Sequence, residues 1–554
     1  MVMPLWNPLI PPLGISCLKS YLQEHGYSVY TADANVHPEL NRIISEYFEV
    51  LGGWIPKEDS GNFNNIANTV LEKHLMVHRR QSDETKYLEC MREVIYQAFF
   101  QTFSDARIAR LSGLIVTFYD ELRRYLTGLL TEVKPTVVGA SVYGATVAAS
   151  LFAFDFVKEF DPSIRTVMGG GIFSGEMAPG SPNFDYFTAN TPQIDCVIMG
   201  EGERLFLHYL QGTFPEGKKV VTLEDISGST LDLDAVPVPD FSDFDLRYYP
   251  NLASYSSRSC PFNCSFCSEV VLWGKYRKKR GCQVVRELET LISRYGRQLF
   301  LLSDSLLNPI VTDLAEECIA AGIYPYWDGY LRADKAVCQR DNTILWRQGG
   351  FYRARLGLES GSEKILQAMD KRITPERIRS AVSNLAYAGI KTTTYWIVGY
   401  PGETEEDFQA TLDLIEEMKD DIYEADCNPF EYFLSGQKHS DNWNRTHTHS
   451  PLYPEWATDM LMIRTWVLDC RPDRQEMFRR LSRFTLHCRR LGIPNPYSKY
   501  DIYHADQRWK KLHQNAVPSL VEFESSTEPL TECRNVQSLL DVEPLVEGDG
   551  DFDF

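Results

Sequence analysis

The stretch SRSCPFNCSFCSE, residues 257–269, decides the fold because it places Cys260, Cys264 and Cys267 in a C-x3-C-x2-C loop. Three thiolates at this spacing can ligate three corners of an iron–sulfur cube, which leaves the fourth iron open to another ligand. Two alternatives remain from spacing alone. They are a zinc site with Cys282 as a distant fourth ligand, and a set of buried structural cysteines.

Strand-like and helix-like segments alternate on the C-terminal side of the cysteine loop. A strand-like segment at residues 254–257 precedes the loop, and further strand candidates follow at 300–302, 326–329, 354–358 and 392–398. Strands that alternate with helices predict a parallel sheet with helices packed on it. We therefore expect an α/β domain that carries the cysteines at the end of its first strand.

A second α/β unit is predicted upstream of the cysteine loop. Its strand candidates are residues 1–6, 29–32, 136–141, 166–168 and 196–199. Several of them end in glycine, at Gly169, Gly170, Gly171, Gly200 and Gly202. Glycine allows a backbone to approach a nucleotide-like ligand closely. The pattern predicts a Rossmann-like, doubly wound parallel sheet with a ligand at its strand ends.

Changes in composition predict where the domains begin and end. We expect a ligand-binding domain at 1–230 with a helical insertion at 39–134, a linker at 231–250, a barrel domain at 251–427, a mainly helical region at 428–520 with helices at 456–468 and 475–491, and an acidic disordered tail at 521–554. The insertion contains helical stretches, and two roles for it remain open. It either covers the sheet passively or caps a bound ligand.

Overall composition narrows the class of protein. The chain has 554 residues, a formal net charge of -20 and 13 cysteines. The acidic balance disfavours a nucleic-acid partner, and no apolar run is long enough to span a membrane. Thirteen cysteines without an export signal indicate reduced thiols, some of them free to ligate metal. We expect a soluble, cytoplasmic protein.

The cysteine loop resembles the signature of the radical SAM superfamily, which has an aromatic residue immediately before the last cysteine, here Phe266. The resemblance implies a 4Fe-4S cluster on Cys260, Cys264 and Cys267, with S-adenosylmethionine bound to the open iron. It also implies a partial (β/α)6 TIM-type barrel, and it places Phe266 near the adenine.

Other pieces of the sequence resemble cofactor contacts of that superfamily. They lie at or beyond the ends of predicted strands, at Ser303, Asp304, Arg332, Glu359, Ser360 and Gly399. In the family the carboxylate at the position of Glu359 bonds the ribose hydroxyls or the methionyl amine. A surface ion pair is the competing interpretation of Arg332. The segment YWIVGYPGETEEDF, residues 395–408, departs from the family in having Tyr400 where Phe is common.

The N-terminal unit resembles the cobalamin-binding half of cobalamin-dependent radical SAM enzymes. The matching segments are PPLGISCLKSYL (11–22), VVGASVYGATVAAS (137–150), MGGGIF (168–173) and VIMGEGE (197–203). The resemblance implies cofactor contacts at Pro12, Leu13, Ser141, Tyr143, Gly169, Gly170, Gly171, Gly200, Glu201 and Gly202. A Rossmann-like domain for another nucleotide is the alternative. DANVH (33–37) lacks the spacing of the family's cobalt-ligating Asp-x-His-x-x-Gly motif, so we expect no histidine on cobalt.

Together the two resemblances imply a C-methyltransferase that acts through methylcobalamin and a 5'-deoxyadenosyl radical. The expected substrate is a small metabolite or a carrier- or peptide-bound intermediate of natural product biosynthesis, and a reductase, flavodoxin or ferredoxin would donate electrons. One alternative is radical rearrangement, cyclisation or oxidation without methyl transfer, and another is a non-catalytic corrinoid-binding protein. Methylthiotransferases need three clustered N-terminal cysteines, whereas Cys17, Cys90 and Cys196 are far apart in sequence.

Overall fold

The computed structural model describes residues 1–5, 10–228, 230–496 and 499–513. The acidic tail predicted at 521–554 lies outside these residues, as does the end of the first predicted strand. The fold is α/β, as predicted: one parallel sheet in the N-terminal part, a second in the middle, and a largely helical C-terminal region. Among the described helices, none is long and apolar enough to cross a membrane.

The N-terminal sheet contains four parallel strands within the described residues. In spatial order they are β1 (Val137–Ser141), β2 (Arg165–Gly169), β3 (Cys196–Ile198) and β4 (Val220–Val221). The helices of this part are α1 (Leu13–Glu24), α2 (Pro38–Gly52), α3 (Phe63–Arg80), α4 (Glu84–Phe99), α5 (Asp105–Val133), α6 (Val147–Phe160), α7 (Pro182–Ala189) and α8 (Gly202–Leu210). Helices α2 to α5 form the insertion.

The segments 1–6 and 29–32, both predicted as strands, do not form strands in the described residues. Val2 and Asp33 form one isolated parallel bridge, and the amine of Met1 donates to the carbonyl of Gly139 at 2.7 Å. The second prediction is wrong because the chain turns at its end. The side chain of Asp33 accepts from the amide of Asn35, which starts a short helical turn instead of a ladder.

The middle sheet has six parallel strands in the described chain. In spatial order they are β12 (Glu424–Pro429), β11 (Lys391–Val398), β10 (Phe351–Glu359), β9 (Tyr326–Leu331), β8 (Leu299–Leu302) and β5 (Leu252–Ser254). The intervening pair β6 (Ser257–Arg258) and β7 (Arg277–Lys278) is antiparallel. The helices are α9 (Glu269–Trp273), α10 (Gly281–Tyr295), α11 (Val311–Ala321), α12 (Arg340–Gln348), α13 (Glu363–Ala368), α14 (Pro375–Tyr387) and α15 (Glu405–Glu417). This is the predicted partial barrel.

The C-terminal region is less helical than expected. It contains α16 (Ser440–Thr446), β13 (His449–Pro451), α17 (Thr458–Leu461), β14 (Trp466–Leu468), α18 (Arg474–Arg490) and α19 (Lys499–Leu512). The helix predicted at 456–468 is wrong, because Met462 adopts a positive φ of 60° and β14 then pairs with β13. The helix predicted at 475–491 corresponds to α18.

Candidate functional site

The cysteine loop leaves β6 and ends at α9, at the carboxyl edge of the barrel sheet. Cys264 is buried, whereas Cys260 and Cys267 are half-buried. The loop has little freedom, because the amide of Ser265 donates to the carbonyl of Met369 at 2.9 Å. The barrel therefore fixes the backbone that carries the three thiols.

The thiols are placed to bind a cation as thiolates. Burial raises the pKa of Cys260, and it raises the pKa of Cys267 to about 12; the charge of Cys264 acts in the same direction on both. Backbone amides of Phe262 and Glu269 donate toward the two sulfurs and oppose that rise. Thiols whose pKa is raised in this way become stable as thiolates when metal neutralises them.

A cube suits this arrangement better than one ion. Among the described residues, no three His, Cys, Asp or Glu side chains converge closely enough to hold a single metal ion. Cysteines that ligate an iron–sulfur cube bind separate corners, so they need not converge on one point. The donor chemistry at Cys260, Cys264 and Cys267 therefore fits a cluster.

Arg332 lies against the cysteine loop, just beyond β9. Its side chain is 4% exposed, its Nη1 is 3.6 Å from the Sγ of Cys264, and its guanidinium lies 4.0 Å from the ring centroid of Phe262. Its Nη2 is buried and has no hydrogen-bond partner among the described residues. The interpretation of Arg332 as a surface ion pair is wrong. A buried guanidinium with an unused donor is suited to an anionic group of a ligand.

Glu359 ends β10 in a left-handed backbone conformation, with φ of 65°. Its Oε1 lies 2.6 Å from the Nζ of Lys371, and both side chains are largely buried. Lys371 also lies 5.9 Å from the ring centroid of Phe266. The predicted contacts Glu359 and Phe266 are thus brought together by a lysine. The hydroxyl of Ser360 accepts a hydrogen bond from the amide of Ser362.

Asp304 anchors the entrance to the cysteine loop. Its carboxylate accepts from the amide of Ser256 at 2.9 Å and from the hydroxyls of Ser256 and Ser257 at 2.7 and 2.5 Å. Burial raises the pKa of Asp304, and these hydrogen bonds oppose the rise. They also split the strand predicted at 254–257, since Ser256 bonds to Asp304. Asp304 is therefore a positioning residue here, and Ser303 beside it is exposed.

The loop after β11 supports the cysteine loop from the other side. Gly399 has φ of 81°, and a Cβ there would lie 2.2 Å from a side-chain carbon of Met477. Its amide donates to the carboxylate of Glu403 at 2.8 Å. The hydroxyl of Tyr400 bonds to that of Ser265 at 2.7 Å, so this departure from the family's Phe adds a contact to the cysteine loop.

The N-terminal sheet presents mainly backbone at its carboxyl edge. Gly170, after β2, has φ of 108°, and a Cβ there would lie 2.5 Å from the amide nitrogen of Val142. Gly200, after β3, has φ of 98° and open space around it. Gly171 and Gly144 line a cavity, next to the half-buried Tyr143. An edge of exposed backbone without large side chains fits a bulky cofactor.

Other predicted contacts of this domain face inward. Leu13 begins α1 and packs with Cys17 and Leu233, while Pro12 accepts from Ser16. Gly202 begins α8, and a Cβ on it would lie 3.3 Å from a side-chain carbon of Leu18. Ser141 and Gly169 pair with each other across β1 and β2.

Glu201 faces the barrel domain instead of the sheet edge. Its carboxylate pairs with Arg277, and it lies 3.4 Å from Arg258. Arg258 also binds Glu203 at 2.5 Å. These buried pairs fix the two sheets relative to each other, and a cofactor contact by Glu201 stays a prediction.

Residues 436–439, which the sequence analysis missed, contact both sheet edges. The amides of Lys438 and His439 donate to the carbonyls of Cys267 and Ser265, both at 3.0 Å. A Cβ on Gly436 would lie 2.7 Å from the carbonyl oxygen of Gly175, in the N-terminal domain. No motif marks this segment, and Gly436 is its one sequence signal.

A cavity of about 530 Å³ lies between the two edges. Its walls include Gly144 and Gly171 on the N-terminal side, and Ser268 and Gly399 on the barrel side. Helix α3 of the insertion closes it, with lining residues that recur on one helical face. Both roles left open for the insertion, a passive cover and a cap over a ligand, stay predictions.

Known proteins resemble this chain in sequence and in fold. Residues 254–415 match the radical SAM superfamily. The anaerobic magnesium-protoporphyrin IX monomethyl ester cyclase of Rubrivivax gelatinosus is 27% identical over 53% of this chain, and an uncharacterized methyltransferase of Pyrococcus horikoshii is 25% identical over 51%. These matches cover 56% and 64% of the relatives, so the chain spans less than two thirds of either.

The fold has a solved counterpart. The radical S-adenosylmethionine methyltransferase TsrM from Kitasatospora setae, solved with tryptophan and a SAM analog, superposes with a TM-score of 0.50 at 16% identity. The superposition covers 67% of this chain and 81% of TsrM. At that identity the likeness concerns the fold alone.

Proposed function

We propose that this protein, which belongs to the radical SAM superfamily through its residues 254–415, is a cobalamin-dependent C-methyltransferase. The observation that carries the proposal is the cavity whose wall includes both Ser268 and Gly399 at the barrel edge and Gly144 and Gly171 at the N-terminal edge. A ligand in it would touch both edges at once. The expected substrate is a small metabolite or a peptide-like biosynthetic intermediate with an unactivated carbon.

Cys260, Cys264 and Cys267 would hold a 4Fe-4S cluster, which with S-adenosylmethionine supplies a 5'-deoxyadenosyl radical. Arg332 is suited to bind the carboxylate of S-adenosylmethionine, because its Nη2 is buried without a protein partner. Glu359, which pairs with Lys371 in a buried setting, has carboxylate oxygens that can accept from ribose hydroxyls or the methionyl amine. These side chains would orient the ligand before any bond breaks.

The backbone after β1, β2 and β3 would hold cobalamin, which supplies a carrier for the methyl group. The residues fit it, because no heavy atom of the described residues lies within 4 Å of a Cβ position on Gly144 or Gly200, which leaves room for a wide ring. No nearby histidine is needed for this fit. His37 lies at the start of α2, 3.8 Å from Glu121.

Enclosure is what radical chemistry requires of this site. Helix α3 and strand β14 contribute to the wall of the cavity between the edges. Excluding water and oxygen limits side reactions of a substrate radical. Electrons would come from an external reductase, flavodoxin or ferredoxin.

The test is anaerobic reconstitution with iron, sulfide and cobalamin, then addition of reductant and S-adenosylmethionine. We expect 5'-deoxyadenosine and S-adenosylhomocysteine by chromatography, and loss of 5'-deoxyadenosine in Cys264→Ala. Neither product, despite full loading of both cofactors, would favour a non-catalytic corrinoid-binding protein.

A second candidate keeps both cofactors but catalyses oxidation, cyclisation or rearrangement. It is favoured by the cyclase relative, which at 27% identity is slightly more similar than the methyltransferase relative at 25%. Formation of 5'-deoxyadenosine without S-adenosylhomocysteine, together with a product that lacks the added mass of a methyl group, would support it.

A further inference from the structure

Four charged side chains line the cavity. Glu72 and Lys73 project from α3, Glu431 follows β12, and Arg474 begins α18. None of them belongs to the cysteine loop or to the glycine edge. We call these four residues the acid–base wall.

The two cations of the acid–base wall already contact protein groups. Arg474 donates to the carbonyl of Gln97 at 2.8 Å and lies 4.5 Å from the ring centroid of Phe478. Lys73 lies 5.5 Å from the ring centroid of Tyr453. The charges of both cations also act on Glu431 and favour its ionised form.

The two carboxylates are in a different situation. Within the described chain, neither Glu72 nor Glu431 forms an ion pair within 4.0 Å or a side-chain hydrogen bond. Burial raises the pKa of Glu72 to about 7, and Glu431 contributes in the same direction while Lys73 opposes it. Both carboxylates line the cavity, Glu72 half-buried and Glu431 exposed, so a ligand there can supply the donors that the described protein groups do not.

The rest of the cavity is mostly apolar and aromatic. Its wall near Glu431 is formed by Phe430, Tyr432, Phe433, Leu452, Trp466 and Leu468. Apolar walls with a few convergent polar groups are typical of sites for small organic ligands. The polar groups would fix the orientation of such a ligand, and the wall would bury its body.

We propose that this cavity binds a small molecule with a protonated amine, which Glu72 and Glu431 accept, and an apolar body that packs on the aromatic wall. The inference rests on the proposed function in taking that molecule to be the substrate. An ammonium group supplies up to three donors and one positive charge, which matches two carboxylates that line one cavity.

The test uses three probes of similar size: 4-phenylbutylamine, 4-phenylbutan-1-ol and 4-phenylbutanoate. The mixture is dialysed to equilibrium against the anaerobically reconstituted full chain, and the bound fractions are quantified by mass spectrometry. We expect the amine to be enriched about tenfold over the alcohol, with the acid bound least. Equal enrichment of amine and alcohol, or no binding of any probe, would overturn the proposal.

Variants separate the carboxylates from the rest of the wall. Glu72→Gln and Glu431→Gln keep the side-chain size, so each should lower the preference for the amine, and the double variant should abolish it. Glu416→Gln, on the exposed face of α15, is the matched control and should behave like the parent chain. An amine preference that survives in the double variant would place the amine elsewhere.

Iron and cobalamin content are measured on the same samples. Amine selectivity with no 5'-deoxyadenosine would refute the proposed function and leave the amine site standing. Formation of both 5'-deoxyadenosine and S-adenosylhomocysteine without amine selectivity would support the proposed function and refute the amine site.

Discussion

The two sheet edges that face the cavity are built in opposite ways. At the barrel edge, charged and sulfur-bearing side chains carry the site, as with Cys264, Arg332 and Glu359. At the N-terminal edge, backbone carries it, as at Gly170, where a Cβ would lie 2.5 Å from Val142. One edge depends on side-chain chemistry, and the other on the absence of side chains.

This difference matches what each edge would hold. A cluster and the polar end of S-adenosylmethionine present charges that side chains can neutralise. A corrin is wide and presents a large face, which exposed backbone can approach closely. Substitutions at the barrel edge should therefore act through lost ligands, and those at the N-terminal edge through added atoms.

The largest expected effect is that of Cys267→Ala. Loss of one of three thiolates should abolish binding of iron and sulfide while cobalamin binding remains. Iron, sulfide and cobalamin are assayed after anaerobic reconstitution. Cys282→Ala, on α10, is the control and should retain iron. Loss of iron in the Cys282 variant would instead make Cys282 a fourth ligand and leave no open iron, and zinc in place of iron in the parent chain would indicate the zinc alternative.

The converse effect is expected for Gly170→Val. A β-branched residue at φ of 108° is strained, and its Cβ would collide with the backbone of Val142. Cobalamin affinity should fall about a hundredfold, measured by absorbance titration, whereas iron loading should not change. The control is Gly128→Val on α5, where no atom lies within 4 Å of a Cβ. Loss of iron together with cobalamin would show that the edges are not independent.

Next in size is Arg332→Met at the barrel edge. Removing a buried guanidinium that faces a ligand carboxylate should weaken binding of S-adenosylmethionine about tenfold to a hundredfold. Equilibrium dialysis with labelled S-adenosylmethionine measures this, and cluster content should stay unchanged. Arg332→Lys should restore part of the affinity. An unchanged affinity in the Met variant would make Arg332 a structural partner of Phe262.

The sequence predicted the parts of the fold whose signals are local. Alternating apolar segments located five of the barrel strands, and spacing alone singled out Cys260, Cys264 and Cys267. Glycine at strand ends located the second edge. These features depend on neighbouring residues, so they can be recognised without the rest of the chain.

Features that depend on distant partners could not be predicted in this way. An isolated Arg332 reads as a surface residue until β9 places it under the cysteine loop. The pairing of Glu201 with Arg277 joins residues 76 positions apart. The segment at residues 456–468 has helical periodicity, yet pairing with β13 overrides it. Tertiary context decided each of these cases.

The smallest expected effect is that of Tyr400→Phe, which restores the residue common in the superfamily. The variant loses hydrogen bonds of the hydroxyl to Ser265 at 2.7 Å and to the carbonyl of Ala368 at 3.0 Å. We expect a cost of about 1 kcal/mol to the cysteine loop, and a few-fold faster loss of iron to a chelator. Tyr387→Phe, on an exposed side chain, should leave that rate unchanged. Equal rates of iron loss in Tyr400→Phe and Tyr387→Phe would mean that backbone contacts from residues 437–439 alone fix the cysteine loop. The barrel edge would then depend on backbone, as the N-terminal edge does.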